Sequence, residues 1–269
     1  MQSFQQEVIQ QVAQISPLYL VGGVIRDTLL KRPTKDVDVV IELPLEELEK
    51  NLRDWGYHPL RLGAKHPTIS VIEAGERIDF NPFDGDIEID ALRLDFTINA
   101  IYQDVRSGEF IDPLGGIKDL EFKLLKACGD PDARFREDPI RILRLVRFGV
   151  KYGFEIEEET LIAAKNQVGG LAGTAVERIS EELGRILTLE DPETGIRLLD
   201  EIGYWQAFLP ELARLKGLVQ NQYHAKDAWE HTLHVVRNTP ARLILRLAGL
   251  FHDLGKWETA SRECYAWGK

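Results

Sequence analysis

The chain has 269 residues, of which 44% are hydrophobic and 29% charged, a composition typical of a folded globular protein rather than a disordered one. This length suffices for two compact domains, and no stretch approaches the roughly 20 apolar residues that a membrane-spanning helix needs. The formal net charge of −11 argues against indiscriminate nucleic-acid binding over the whole surface but allows a local basic groove.

The amino-terminal segment MQSFQQEVIQQVAQI is amphipathic and lacks the basic start and long apolar run of a secretory signal. The two cysteines, Cys128 and Cys264, are far apart and show no CxxC or zinc-finger spacing. No disulfide framework is therefore expected. Together these features predict a cytoplasmic protein.

Short strand patterns alternate with helical patterns in the first part of the chain. The strand patterns are LYLVGG, DVDVVIEL, TISVIEA and RIDFNPF, and the helical patterns VIRDTLLK and LEELEKNLRDWG lie among them. The segment LRLDFTINAIYQDVRSGEFIDP then predicts a hairpin with a turn at SGE. We expect a sheet that ends near Pro113.

From about Leu114 the pattern is almost wholly helical, as in PIRILRLVRFGVKYGF and AVERISEELGRIL. The Gly, Pro and Asp cluster GDPDARFREDP predicts the link between the two halves. The sequence therefore predicts an α+β fold in three parts. These are a catalytic sheet domain over 1–128, a helical domain over 129–215 and a further helical region over 216–269.

Gly22 and Gly23 stand directly after the first strand pattern and directly before a helical one. Backbone N–H groups at such a helix N-terminus can face a triphosphate, and Arg26, one turn further on, adds positive charge. The alternative is a tight strand-to-helix turn with no ligand.

Asp36 and Asp38 are two residues apart in the second strand pattern, so both carboxylates project from the same face. Paired carboxylates on a rigid face suit Mg²⁺ ions that bridge the phosphates of a nucleotide. Two such ions can activate an attacking hydroxyl and stabilise a leaving pyrophosphate. The alternative is a pair of solvent-facing acids on an edge strand.

With these motifs in place, LVGGVIRD and KDVDVVIE resemble the signature of the DNA polymerase β-like nucleotidyltransferases, and specifically of the class II tRNA nucleotidyltransferase and poly(A) polymerase family. The resemblance continues in order through LRLDFTINAI, FIDPLGGIKDL, GDPDARFREDPIRILRLVRFGVKYGF and AVERISEEL, nearly the whole chain. It implies a mixed sheet with flanking helices followed by an all-α domain. It also implies template-independent addition of C or A, from CTP or ATP, to the 3′ end of tRNA, with Mg²⁺ as cofactor and with neither DNA nor membrane as partner.

By the same resemblance, Arg93, Asp95 and Asn99 lie beside the sugar and phosphates of the incoming nucleotide. The alternative for Asp95 and Asn99 is a turn-forming role. Family members usually carry a second arginine where this chain has Leu94, so one phosphate contact is missing or supplied elsewhere.

Asp138, Arg141, Arg144 and Arg147 recur every three residues and predict a polar stripe on one helix. The resemblance implies that Asp138 and Arg141 hydrogen-bond the base edge of the nucleotide, while Arg144 and Arg147 contact phosphates. A solvated arginine face is the alternative.

The segment RIDFNPFDGDIEIDALRLDF is short and lacks the Arg-Glu and following Tyr that CCA-adding members usually carry in a longer loop. In this family a shortened loop is associated with enzymes that add only two cytidines. Full CCA addition, addition of the terminal A only and poly(A) synthesis share the other motifs and remain alternatives. Asp79, in RIDF, is a candidate third acid beside the metals.

WEHTLHVV and LFHDLGK resemble the start of an HD phosphohydrolase domain, with His231, His252 and Asp253 as candidate metal ligands. HD sites normally recruit a further aspartate that this sequence does not supply, so a structural remnant is the alternative to a hydrolase. For the whole chain, a non-catalytic RNA-binding module is a third possibility, which the intact acidic pair and the EDxxR pattern disfavour.

Overall fold

The computed structural model describes residues 3–34, 36–63, 67–218 and 227–258. The chain divides into two compact units, Met1–Gly129 and Asp130–Lys269. Among the described residues, none of the helices combines the length and the apolar character needed to span a membrane. Cys128 is a buried free thiol, whereas Cys264 lies outside the described residues.

The first unit is built on a seven-stranded mixed sheet. Its strands are β1 Leu18–Val21, β2 Asp36–Ile41, β3 Leu60–Leu62, β4 Thr68–Glu73, β5 Glu76–Pro82, β6 Tyr102–Asp104 and β7 Phe110–Ile111. Their spatial order is β3-β4-β5-β2-β1-β6-β7, and only the β2–β5 pair is parallel within this sheet. Because β2 is the central strand, the edge-strand alternative for Asp36 and Asp38 is wrong.

Side-chain alternation gives the middle of this sheet two different faces. The apolar face is buried and is formed by Val37, Val39, Ile69, Val71, Ile78 and Phe80. The opposite face, called the polar face below, carries Asp36, Asp38, Thr68, Ser70, Arg77 and Asp79. The sheet therefore places its charged residues together on one side.

The helices of the first unit are α1 Phe4–Ile15, α2 Gly23–Leu29, α3 Leu45–Asp54, α4 Ile87–Ala91 and α5 Gly116–Phe122, with a 3₁₀ helix at Thr97–Asn99. A short strand, β8, follows at Leu124–Leu125. Helix α1 begins with a capping box in which Ser3 and Gln6 satisfy each other's backbone N–H groups. Helix α1 contacts β5, and α3 contacts β4.

The predicted hairpin forms from β6 and β7, but its first strand begins only at Tyr102 because the 3₁₀ helix takes the preceding residues. Helix α5 holds this 3₁₀ helix in place. A Cβ atom at Gly116 would lie 2.1 Å from the carbonyl oxygen of Thr97, so only glycine permits the close approach. The Thr97 hydroxyl also donates to Asp119 at 2.6 Å.

Within residues 130–218 and 227–258, the second unit is helical apart from the two-residue strand β9, Glu155–Ile156. Its helices are α6 Pro131–Glu137, α7 Ile140–Tyr152, α8 Glu158–Gln167, α9 Val176–Leu187, α10 Pro192–Glu201, α11 Tyr204–Phe208, α12 Pro210–Ala213, α13 Ala228–Asn238 and α14 Leu243–Phe251, with a 3₁₀ helix at Val168–Gly173. The expected α+β class, a mixed sheet with flanking helices followed by an α-helical part, is confirmed.

The segment GDPDARFREDP differs from the predicted link. The boundary between the two units falls after Gly129, but most of the segment forms helix α6. Asp130 caps this helix by accepting from the N–H of Asp132 at 3.0 Å, and Pro131 occupies the first turn. Gly, Asp and Pro here start a helix rather than a linker, because Pro is well tolerated at the first helical position.

Candidate functional site

Asp36 and Asp38 lie on the central strand β2 with their carboxylates on the polar face; Asp36 is exposed and Asp38 is half-buried. Gly22 joins β1 to α2 with a positive φ of 78°, which favours glycine. A Cβ atom at Gly22 would lie 3.4 Å from the Oδ2 atom of Asp38. The turn therefore leaves space beside this carboxylate that a larger residue would fill.

The neighbouring strand β5 brings Asp79 beside this pair, in register with Asp38. The Asp79 Oδ1 atom accepts from the Arg77 Nε at 2.8 Å and from the Ser70 hydroxyl at 2.5 Å. The hydrogen bond to Asp79 raises the pKa of the Arg77 guanidinium, and the charges of Asp36 and Asp38 add to the shift. Ser70 and Arg77 were not identified from the sequence, because strand register alone brings them to the site.

The donor set at this position suits a hard divalent cation. Asp36 and Asp38 supply carboxylate oxygens from one rigid strand, which is the ligand chemistry that Mg²⁺ prefers. The glycine turn at Gly22 keeps the Asp38 carboxylate accessible from one side. Asp79 is close enough in register to contribute, although its Oδ1 atom is already bound by two donors.

Arg26, Asp95 and Asn99 are brought together in a buried hydrogen-bond network. The Arg26 Nη1 donates to Asn99 Oδ1 at 2.6 Å, and its Nε donates to Asp27 at 2.9 Å. The Asn99 Nδ2 donates to Asp95 Oδ1 at 2.8 Å, as does the N–H of Phe96. The network fixes the orientation of the Asp95 carboxylate.

This network changes the interpretation of Arg26. Its side chain is only 6% exposed, so in this structure it holds Asn99 and Asp27 rather than facing solvent as an added positive charge for phosphate. Asp27 was not identified from the sequence, although an adjacent Arg-Asp pair was a signal available there. A phosphate contact by Arg26 stays a prediction. It would require Arg26 to share its donors between the phosphate and its present acceptors, Asn99 and Asp27.

Arg93 is exposed, whereas Leu94 is half-buried. Leu94 packs against an apolar cluster that includes Val21, Phe83 and Tyr102. Where the family resemblance led to the expectation of a second arginine, this chain therefore has a partly buried apolar residue that packs on the core. No phosphate contact is available from the side chain at that position.

In the second unit, the predicted arginine stripe forms on α7. Arg141, Arg144 and Arg147 are partly exposed, while the apolar residues between them are buried. Asp138 is not on this helix, contrary to prediction. It is the C-cap of α6 in an extended conformation, because it precedes Pro139, which disfavours helical dihedral angles in the preceding residue. Pro139 is the N-cap of α7.

These polar residues have identified partners. Asp138 accepts two hydrogen bonds from Arg178, at 2.8 and 3.1 Å, and Arg141 donates to Glu137 at 2.7 Å. Arg147 forms a buried ion pair with Glu182 at 2.6 Å, and burial lowers the pKa of its guanidinium. The geometry gives Arg147 a structural role. Arg178 and Glu182 were not singled out from the sequence, although both belong to the quoted AVERISEEL motif.

His231, His252 and Asp253 are also brought together, with one candidate ligand atom from each lying within 4.8 Å of the others. The Asp253 Oδ2 lies 3.2 Å from His252 Nε2 and 3.9 Å from His231 Nε2. Lys256, which was not predicted, places its Nζ 2.7 Å from the same oxygen. The cluster can hold a metal ion once Lys256 moves, or it can be neutralised by Lys256 without one.

Two protein-family models match the chain. The model described as the poly A polymerase head domain matches residues 18–89 and 80–126. A second, described as a probable RNA and SrmB-binding site of polymerase A, matches residues 153–216. The two models match separate parts of the chain, one in each unit.

The chain is similar to several curated proteins named multifunctional CCA protein. It is 37% identical over 261 residues to the one from Azoarcus sp. strain BH72, covering 90% of this chain and 62% of that protein. It is 34% identical over 268 residues to the one from Xanthomonas campestris pv. campestris strain B100, covering 89% and 63%. The chain thus spans less than two thirds of the length of these relatives.

Solved structures give a consistent result. The Bacillus stearothermophilus CCA-adding enzyme in complex with CTP superposes with a TM-score of 0.73 at 30% identity, covering 93% of this chain and 62% of that one. The Thermotoga maritima CCA-adding enzyme complexed with tRNA gives a TM-score of 0.69 at 27% identity, covering 95% and 68%.

Proposed function

Because the chain belongs to the tRNA nucleotidyltransferase and poly(A) polymerase family, we propose that it adds nucleotides from CTP or ATP to the 3′ end of tRNA. The reaction needs no nucleic-acid template and releases pyrophosphate. The observation that carries the proposal is the placement of Asp36 and Asp38 on one face of the central strand, beside the glycine turn at Gly22.

Nucleotidyltransferases of this family generally use divalent metal ions, and we infer that Mg²⁺ is the ion here. Asp36 and Asp38 would hold it. When bound, the ion supplies charge stabilisation to the reacting phosphates and favours ionisation of the attacking hydroxyl. The protein's own contribution is a rigid strand that keeps both carboxylates in position without rearrangement.

The nucleotide contacts proposed for the first unit are Gly22, Gly23, Arg26, Arg93, Asp95 and Asn99. The hydrogen bonds from Asn99 and the Phe96 N–H to Asp95 support a fixed acceptor for a ribose hydroxyl. Such an acceptor would favour ribonucleotides over deoxyribonucleotides. Arg26 supports this arrangement by donating to Asn99, which in turn donates to Asp95.

The nucleotide contacts proposed for the second unit are Asp138, Arg141, Arg144 and Arg147. Asp138 offers acceptors and Arg141 offers donors, a combination that can match the mixed edges of C or A. In this structure their partners are Arg178 and Glu137, so base recognition would require them to exchange or share these partners. Arg147 already pairs with Glu182, so a phosphate contact by Arg147 would require its donors to be shared with that carboxylate.

Among the possible products, the short segment before Asp95 supports addition of two cytidines only. Full CCA addition is the alternative, supported by the names of the relatives, and poly(A) synthesis is a more distant one. We further infer a cytoplasmic location, and partners that include tRNA but neither DNA nor a membrane. In the proposed division into residues 1–128, 129–215 and 216–269, the first part carries catalysis and the second recognises the nucleotide and the RNA.

RNA extension with defined ends tests the function and the product together. The purified protein is incubated with Mg²⁺ and tRNA transcripts ending at the discriminator base, after one C, or after CC, with CTP and ATP supplied singly and together. Growth by two cytidines and no further is expected. Growth through a terminal A would instead identify CCA addition and contradict the inference from the short segment. If none of the three transcripts were extended, the proposed function would be contradicted.

The cluster of His231, His252 and Asp253 supports a second candidate function, that of a metal-dependent phosphohydrolase. Imidazole and carboxylate ligands together suit transition metals such as Mn²⁺ or Ni²⁺. The position of Lys256 on Asp253 favours the alternative in which the cluster is structural. Metal binding and hydrolysis must therefore be measured separately.

His252→Ala is expected to weaken Ni²⁺ binding by about tenfold or more, because one of three ligands is lost. Isothermal titration with Ni²⁺ measures it, and His234→Ala is the control, since His234 is exposed on the same helix as His231 and outside the cluster. A hydrolase would also cleave bis-p-nitrophenyl phosphate with Ni²⁺, and this activity would survive Asp38→Asn but not His252→Ala. Equal Ni²⁺ affinity in the parent and both histidine variants would show that the cluster is not a metal site.

A further inference from the structure

Arg77 is a cation placed directly beside the candidate metal-binding acids. Strands β2 and β5 are parallel, and their register pairs Asp36 with Arg77 and Asp38 with Asp79. Paired residues on neighbouring strands point to the same face, and such strands lie roughly 4.8 Å apart. The guanidinium therefore shares the polar face with both carboxylates.

This guanidinium is held in position while one end of it remains available. Its Nε donates to Asp79 at 2.8 Å, and its Nη2 donates to Ser70 at 3.4 Å. The side chain is 40% exposed, and among the described residues Nη1 has no hydrogen-bond partner. Asp79 and Ser70 thus fix the plane of the Arg77 guanidinium group. The N–H donors on its other edge face solvent.

A fixed positive charge at this place works against metal binding, because it repels a cation approaching Asp36 and Asp38. The same charge favours an anion that arrives together with the metal. Oriented guanidinium groups bind phosphate oxygens well. Since Leu94, which packs on the core, stands where the family usually has an arginine, the first unit also lacks one expected cation for phosphate.

We propose that Arg77 is a phosphate-binding residue of the transfer site and that it compensates for the leucine at position 94. The inference rests on the proposed nucleotide transfer. Its ligand is a phosphate oxygen, carried either by the nucleoside triphosphate or by the 3′-terminal nucleotide of the RNA. Asp79 and Ser70 are its positioning residues, and they orient the guanidinium before the ligand arrives.

Two binding titrations decide the matter. CTP with Mg²⁺ and a tRNA transcript ending at the discriminator base are titrated separately, so that no turnover occurs, into the parent and into Arg77→Met and Arg77→Lys. Arg77→Met is expected to weaken binding of one ligand by about tenfold, since charged hydrogen bonds contribute of that order. Arg77→Lys is expected to restore part of the loss. The ligand affected identifies the source of the phosphate.

The chain offers a matched control in Arg61, whose side chain is 43% exposed and also lies 2.8 Å from a single carboxylate, that of Glu46. Arg61 is paired in register with Ile69, so it belongs to the opposite face of the same sheet. Arg61→Met is expected to leave both affinities within twofold. If Arg77→Met behaves like Arg61→Met, the proposal is wrong.

Titration with Mg²⁺ in the absence of nucleotide adds a second measurement, in which Arg77→Met is expected to change the affinity in the opposite direction. Removal of the positive charge by Arg77→Met is expected to tighten Mg²⁺ binding while it weakens phosphate binding. Weaker binding of both would mean that Arg77 only maintains the carboxylates, and would overturn the proposal. RNA extension by the parent is measured in parallel. A parent that fails to extend RNA refutes nucleotide transfer, while the titrations still decide phosphate binding by Arg77.

Discussion

Asp38→Asn is expected to lower the rate of RNA extension by about 10³-fold or more while leaving the fold unchanged. The substitution keeps the shape of the side chain but removes the negative charge that would hold the metal ion. Loss of roughly 4 kcal/mol of transition-state stabilisation corresponds to a factor of this size. Asp38 is the half-buried member of the acidic pair on this central strand, and Asp36 is the exposed one.

Single-turnover extension with saturating CTP measures the effect, and circular dichroism with thermal unfolding checks the fold. Asp54→Asn is the matched control, since Asp54 is an exposed residue at the end of α3. The control should extend RNA at the parental rate. An Asp38→Asn protein that retains more than about a tenth of the parental rate would show that chemistry does not depend on this carboxylate.

The second large effect concerns stability. Glu182→Ala should lower the free energy of unfolding by about 3–5 kcal/mol, because it leaves the Arg147 guanidinium buried without its counter-ion. The two side chains are only 8% and 12% exposed, and their atoms approach to 2.6 Å. Burial already lowers the pKa of Arg147, so removing the compensating carboxylate exposes the full cost of the buried charge.

Urea unfolding followed by circular dichroism gives the free energy. The adjacent residue supplies the control: Glu181 is 63% exposed and pairs with Arg185 on the helix surface. Glu181→Ala should change the free energy of unfolding by less than about 0.5 kcal/mol. Similar losses for the two variants would mean that the Arg147 pair is not the buried contact that holds α7 to α9.

Regular features of the fold could be predicted from the sequence because they depend on local periodicity. The β-branched alternation around Val37 and Val39 indicated a strand, and the apolar spacing from Ile140 onwards indicated helix α7. Both elements are present. The hairpin was predicted from its SGE turn, but the 3₁₀ helix at Thr97–Asn99 was not, since it depends on the approach of α5 at Gly116.

The partners of the candidate site residues could not be predicted, because they come from distant parts of the chain. Arg26 meets Asn99 across 73 positions, and Asp138 meets Arg178 across 40. Arg77 could not be identified because nothing in its local sequence marks it. Its place beside the acids depends on the parallel strand register that pairs it with Asp36. The acids themselves were recognisable because their spacing of two is a local property of a strand.

The central position of β2 has a consequence for motion. From Asp38 to Ile41 this strand is paired along both edges, with β1 on one side and β5 on the other, whereas Asp36 and Val37 pair with β5 alone. The doubly paired part cannot fray from an open side as an edge strand does, so its separation would require disruption of the sheet on both sides. The backbone at Asp38 should therefore hold its position through the local fluctuations of the surrounding loops, and of the two acids Asp36, at the start of the strand, should be the more mobile.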